Sequence, residues 1–265
     1  MSAHVIEVEH LRKVYPARRG RPENVAVTDL SFTVDEGSSI GVVGGSGAGK
    51  TTVASLLMGF TRPTSGIVRI NGVERPQLVR RTERKRWARD IQVVFQDPYS
   101  SLDPNQRLGD VVDEVLRYHF PLDRQQREHR IAELFDAVGL SQSFVGSYPR
   151  SLSGGQLQRV AIARALALRP RILLLDESVA ALDVSIQAQI LNLLNDLRKE
   201  LGVTYIVISH DLGVIRYTTE RIVVMHEGAL VEEGLTGVVL DSPSHPYTKA
   251  MIAATPEAVD RQLHR

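Results

Sequence analysis

A chain of 265 residues, 43% hydrophobic and 24% charged, is long enough to bury a sizeable core. Its formal net charge of +1 provides no global electrostatic case for nucleic acid or an anionic membrane surface. The absence of cysteine excludes disulfides, thiolate metal sites and cysteine-ligated clusters. Residues 1–11 lack the apolar centre of a signal peptide, and no apolar run approaches the ~18 residues that span a bilayer. Any membrane association is therefore expected to run through a partner.

Val5-Ile6-Glu7-Val8-Glu9 alternates as a strand does, and residues 25–34 carry a second β-rich run around Leu30, Phe32 and Val34. Tyr15-Pro16 and residues 18–24 read as a polar loop between them. Tyr15 admits two readings, a core aromatic at a strand end or a face that stacks on a nucleotide base. Next comes Gly44-Gly45-Ser46-Gly47-Ala48-Gly49-Lys50-Thr51-Thr52, which fits the phosphate-loop pattern of Gly, four residues, then Gly-Lys-Thr. A strand-like run, residues 39–43, precedes it, and a helix-like run, residues 53–58, follows. The glycines let successive N–H groups turn into one concavity at a helix N-terminus, where the macrodipole favours an anion. Lys50 is placed to reach the β- and γ-phosphates of a nucleotide, and the Thr51 hydroxyl to ligate Mg²⁺.

Residues 66–70 form a short strand, and Asn71-Gly72 is a hairpin turn signal. The basic run from Arg80 to Arg89 reads as a solvated helix face in preference to a binding patch. Ile91 to Phe95 is a buried strand that ends at Gln96-Asp97-Pro98. Residues 108–139 turn helical, with Asp123 as an N-cap between two apolar faces. Leu152-Ser153-Gly154-Gly155-Gln156 opens another helix, and is either a second anion site or an ordinary helix start with a serine cap. Ile172 to Leu175 is an all-apolar strand ending in Asp176-Glu177. Such strands lie buried in parallel sheets, whose C-terminal ends carry the ligand. Asp176 suits a share in Mg²⁺, and Glu177 the positioning and deprotonation of a water. Residues 186–197 are an amphipathic helix, and the strand 203–208 ends in Ser209-His210-Asp211, where a functional histidine is favoured over a structural one. Two further strands, 221–225 and 230–232, join at Glu227-Gly228, and the tail is helical from about Pro246.

The order of these pieces resembles the nucleotide-binding subunit of an ABC transporter, across nearly the whole chain. The phosphate loop is followed by Gln96, then 152–156, Asp176-Glu177, Ala181-Leu182-Asp183 and His210. The resemblance implies an α/β P-loop NTPase (RecA-like) fold: a parallel-sheet core, an antiparallel β subdomain and an inserted helical subdomain. A single domain is expected over 1–265, with the β and nucleotide-binding core at about 1–96 and 170–240. The helical subdomain falls at about 97–169 and a short tail at 241–265. ATP and Mg²⁺ are the implied ligands. Tyr15 would stack on adenine, residues 44–52 would hold the phosphates, and Thr51, Gln96 and Asp176 would serve the metal. Glu177 would be the general base, with Lys50, Gln96 and His210 completing the catalytic set; His210 would contact the γ-phosphate. Ser153, Gly154, Gly155 and Gln156 would serve the ATP of a second ATPase subunit, with Asp183 at the dimer interface.

Residues 94–104, 182–191 and His245-Pro246-Tyr247-Thr248 resemble, more narrowly, the oligopeptide, dipeptide and nickel importer group. That implies ATP-driven import of peptides or a related small solute. The chain would be peripheral on the cytoplasmic face of the membrane, beneath two permeases, in a homo- or heterodimer with a second ATPase. A substrate-binding protein would take part indirectly, and nucleic acid would not. Ala180 stands where many relatives have Ser, which is expected to weaken one cross-interface hydrogen bond. A cysteine-bearing C-terminal extension is missing, so no iron–sulfur site carries over and the shorter of two ATPase subunits is expected. The alternatives are a non-transport ABC ATPase, a nickel importer subunit, or a catalytically silent partner. The near-neutral charge and the single cassette oppose the first, and intact Lys50, Gln96, Glu177 and His210 oppose the last.

Overall fold

The structure, a computed structural model, describes residues 4–17, 22–75 and 81–255. Residues 18–21 of the expected loop, Arg80 of the basic run and the tail beyond Thr255 lie outside the described residues. The chain divides into two compact units, residues 1–78 with 204–265, and residues 79–203.

The first unit begins with two long strands, β1 (His4–Tyr15) and β2 (Asn24–Asp35), paired antiparallel. Ile6, Val8 and Leu11 from one and Val27, Leu30, Phe32 and Val34 from the other are buried, while Glu9, Ser31 and Asp35 face out. Ile6 to Val8 and Leu30 to Val34 keep the period-2 pattern the sequence carries, and the register shifts between Val8 and Lys13 interrupt it. β3 (Ser39–Val43) is buried at every residue, as a strand covered on both faces must be, and α1 (Lys50–Met58) follows the glycine loop. β4 (Ser65–Ile70) adds to the free side of β1 and turns into β5 (Val73–Glu74). Asn71 (φ 53°) and Gly72 (φ 70°) make that two-residue turn, both left-handed as a twist-matched hairpin requires.

The second unit opens with α2 (Arg81–Asp90), which leads directly into β6 (Ile91–Val94). The basic run is more than a solvated face. Trp87 is buried, and Lys85 and Arg89 donate to the Tyr118 and His119 carbonyls at the end of α4. After the one-turn α3 (Pro98–Ser101) come α4 (Leu108–His119) and α5 (Arg124–Ala137). Asp123 caps α5 in a full capping box with Gln126, at the position expected. Two 3₁₀ turns, Gln142–Gly146 and Pro149–Ser151, precede α6 (Gly154–Leu166). β7 (Ile172–Asp176) pairs parallel with β6, and α7 (Val184–Leu201) closes the unit.

The chain then returns to the first unit with β8 (Thr204–Ile208), α8 (Leu212–Thr218), β9 (Arg221–His226) and β10 (Ala229–Leu235). α9 (Thr236–Asp241) and α10 (Pro246–Ala253) end it. β8 and β9 lie parallel to β3 on its two sides. Strand order within this unit is β5-β4-β1-β2-β10-β9-β3-β8, so β3 is enclosed and its C-terminal end is the place where the chain must leave the sheet.

Candidate functional site

The glycine loop leaves β3 at the level where Val43 lies beside Val224 of β9. A Cβ on Gly44 would run into the Met225 carbonyl oxygen, and one on Gly49 (φ 100°) into the Ala26 carbonyl oxygen. Glycine at these two positions is what lets the loop press onto β9 and β2. Around Gly47 a Cβ would meet nothing within 4 Å, so the loop faces open space there. Val53 N–H already bonds the Gly49 carbonyl, and α1 carries no acidic side chain in its first turn. The positive end of the helix therefore meets no carboxylate of its own first turn. Lys50 Nζ donates to the carbonyls of Gly44 (2.7 Å) and Gly45 (3.1 Å), which holds its ammonium against the loop itself. Thr51 is exposed on the first turn, and Thr52 is half-buried.

His210 reaches the same end of the first unit. β8 ends with Ile208 opposite Val42, so two further residues carry His210 to the level of Gly44. It is exposed there, while Asp211 beside it caps α8 by accepting from Gly213 and Val214. Tyr15 ends β1 and is 38% exposed, with the Lys13 ammonium 4.9 Å above its ring. A core role does not suit that exposure.

In the second unit the parallel register pairs Val94 with Leu175. Gln96 and Glu177 each stand two residues beyond that pair, and Asp176 is the last residue of β7. Glu177 has φ 50°, a left-handed conformation costing about 1–2 kcal/mol for a residue with a Cβ. Strain of this kind collects at working sites. The Ser153 loop does make the ordinary helix start: Ser153 Oγ accepts from Gln156 N–H, and Gln156 Oε1 accepts from Ser153 N–H. Gly154 lies beside Leu182, and Gly155 is buried so tightly on Ile186 that a Cβ would collide with it. Asp183 occupies the N-cap position of α7 without a side-chain capping bond, and is exposed. Exposed Ala180 lies in the turn closed by its N–H on the Glu177 carbonyl.

Among the described residues, no group of three or more His, Asp or Glu could hold a metal ion unaided.

Residues 27–180 match the ABC transporter family. A probable peptide ABC transporter ATP-binding protein from Sinorhizobium fredii is 46% identical over 261 residues, covering 97% of this chain and 74% of that protein. The chain belongs to the ABC transporter family. Within it the chain is an ATPase cassette of α/β P-loop fold, as the sequence led one to expect. A dipeptide transport ATP-binding protein from Haemophilus influenzae is 41% identical, covering 93% of this chain and 76% of that protein. The solved dimer of an ATP-binding cassette in a post-hydrolysis state, bound to ADP and Pi, is 31% identical with a TM-score of 0.78. The match covers 87% of this chain and 98% of that one.

Three contacts to the cassette's phosphate loop come from residues that sequence reasoning did not single out as site residues: Ala26, Met225 and Tyr247. Nothing local marks the first two, since what they contribute is a backbone carbonyl. Tyr247 sits in a stretch that stood out only by resemblance.

Proposed function

We propose that this chain is the ATP-hydrolysing subunit that energises import of peptides or a related small solute. The observation that supports the chemistry is the parallel β6–β7 register, whose last pair, Val94 and Leu175, lies two residues before Gln96 and Glu177. The cargo class rests on relatives that are named for peptide and dipeptide transport.

In this reading the loop from Gly44 to Thr52 and the Lys50 ammonium bind the phosphates, and Tyr15 stacks on adenine. Thr51, Gln96 and Asp176 would hold Mg²⁺, which would neutralise charge on the phosphate oxygens. Glu177 accepts the proton of the water that attacks the γ-phosphorus as the bond to the bridging oxygen breaks, leaving ADP and phosphate. His210 donates to a γ-phosphate oxygen. Ser153, Gly154, Gly155 and Gln156 serve the ATP held by a second ATPase subunit, with Asp183 at that interface. Two permeases anchor the pair to the cytoplasmic face of the membrane, and a binding protein delivers cargo to them.

Glu177→Gln tests the reading. It keeps size and polarity but removes the proton acceptor, so steady-state hydrolysis should fall by about 10²–10⁴ while ATP binding survives. The same variant, reconstituted with the cognate permeases, should lose ATP-driven uptake of labelled peptide. Hydrolysis near the wild-type rate would remove Glu177 from the base role, and wild-type transport of no peptide at all would remove the cargo class.

A further inference from the structure

The carboxy-terminal helix α10 reaches back to the phosphate loop, and it is built to do so. Glu232 of β10 accepts from Ser244 N–H and Oγ (both 2.7 Å) and from His245 N–H (3.1 Å), which fixes the approach to the helix. His245 Nδ1 then caps α10 by accepting from Tyr247 N–H (3.2 Å). The Tyr247 ring stacks on His226 at the end of β9, with centroids 3.8 Å apart and planes 24° from parallel. Held at both backbone and ring, Tyr247 presents its hydroxyl to the loop, where Oη accepts from Gly45 N–H at 2.8 Å.

That N–H belongs to the same peptide as the Gly44 carbonyl, which receives Lys50 Nζ at 2.7 Å. In a trans peptide the two groups point in opposite directions, and the chain has no cis bond among its described residues. One peptide plane is thus gripped at its N–H edge by Tyr247 and at its carbonyl edge by Lys50. Rotation of that plane would move the ammonium, and Gly44 and Gly45, lacking side chains, offer little resistance of their own.

We propose that Tyr247 is a positioning residue of the phosphate loop: its hydroxyl fixes the Gly44–Gly45 peptide and, through it, the Lys50 ammonium. The proposal rests on the reading of this loop as the ATP site. Tyr247 need not touch the nucleotide, and its influence is felt in phosphate binding rather than in the proton transfer assigned to Glu177.

The test is a cycle of Tyr247→Phe, Lys50→Ala and the double variant in the full chain, titrated with Mg-ATP by calorimetry. Tyr247→Phe keeps the ring on His226 and removes only the hydroxyl, so the melting temperature without nucleotide should stay at the wild-type value. Affinity for Mg-ATP should fall about 3–10-fold, the size of one solvent-facing hydrogen bond. In the Lys50→Ala background the same change should cost less than about twofold, because the group it positions is gone. An unchanged affinity in Tyr247→Phe beside a large loss in Lys50→Ala overturns the proposal and leaves the ATP site standing. Equal losses in both backgrounds overturn it too, since Tyr247 would then act independently of Lys50. Full affinity in Lys50→Ala would sink the ATP reading of the loop, and the proposal with it.

Discussion

Glu232 shows how a single carboxylate secures a whole segment. Burial by itself would raise its pKa, but hydrogen bonds from the Ser244 hydroxyl and the backbone N–H groups of Ser244 and His245 outweigh that and bring it down to about 2 from an ordinary 4.5. A carboxyl whose folded value lies below its unfolded one stabilises the fold above the unfolded value. It loses that contribution as pH falls through the folded one. The stabilisation is therefore complete above about pH 5 and drains away between about 4.5 and 2. Glu232→Gln should lower the melting temperature at pH 7 by about 2–4 °C, the shift that 1 kcal/mol makes in a chain of this size. Scanning calorimetry from pH 7 to pH 3 should show the two proteins converging. A gap that stays constant across that range would mean that Glu232 works by packing and not by charge.

At the scale of elements, α1 is a nine-residue helix whose two ends are treated differently. Its N-terminus is left open to the loop, while its C-terminus is filled by Arg75, which follows β5 and donates to the carbonyls of Leu57 and Met58. Burial pushes the guanidinium down to about 10, so it is still charged at neutral pH and meets the negative end of the helix dipole. Gly59 stands where any Cβ would collide with that guanidinium. α1 has no basic residue of its own in its last turn, so Arg75 supplies the charge from outside the helix. Removing it strands buried carbonyls. Arg75→Ala should cost about 1–3 kcal/mol, read as a drop in the urea midpoint with an unchanged slope. Arg75→Lys, which keeps the charge but not the fork, should recover part of it. A midpoint within error of wild type for Arg75→Ala would show that water satisfies those carbonyls equally well.

For the molecule as a whole, each compact unit presents a glycine-rich helix start, α1 in one and α6 in the other. In the proposed function these serve two different ATP molecules in a pair of subunits, so ATP joins the subunits. Ser153→Arg should abolish ATP-driven association of the cognate pair while leaving the affinity of the isolated chain nearly intact. Light scattering with Mg-ATP in the Glu177→Gln background, which prevents turnover, reads this directly. Ser153→Ala is the control, because it removes the cap at about 1 kcal/mol without adding bulk. Equal association with and without the arginine would exclude a shared site. Among the described residues no helix is long and apolar enough to cross a membrane.

What could be read from the residues alone was everything that contiguous chemistry encodes. The glycine loop with its lysine, the all-apolar β7 ending in Asp176-Glu177, the Asn71-Gly72 turn and the Asp123 cap all stand where local pattern put them. Each depends on backbone conformations or caps set within a few residues. The short α8 and α9 escaped, because one or two turns carry too little periodicity to separate from a loop. Only the tertiary structure decided which side chains meet across the chain. The Lys85 and Arg89 contacts to the end of α4 and the union of β10 with β2 at Ala229 and Asp29 are of this kind. So is the 202-residue span from Gly45 to the Tyr247 hydroxyl. Such contacts follow from how whole elements bury their apolar faces, and a tyrosine in a polar tail looks the same in sequence whether it meets solvent or the backbone of a phosphate loop.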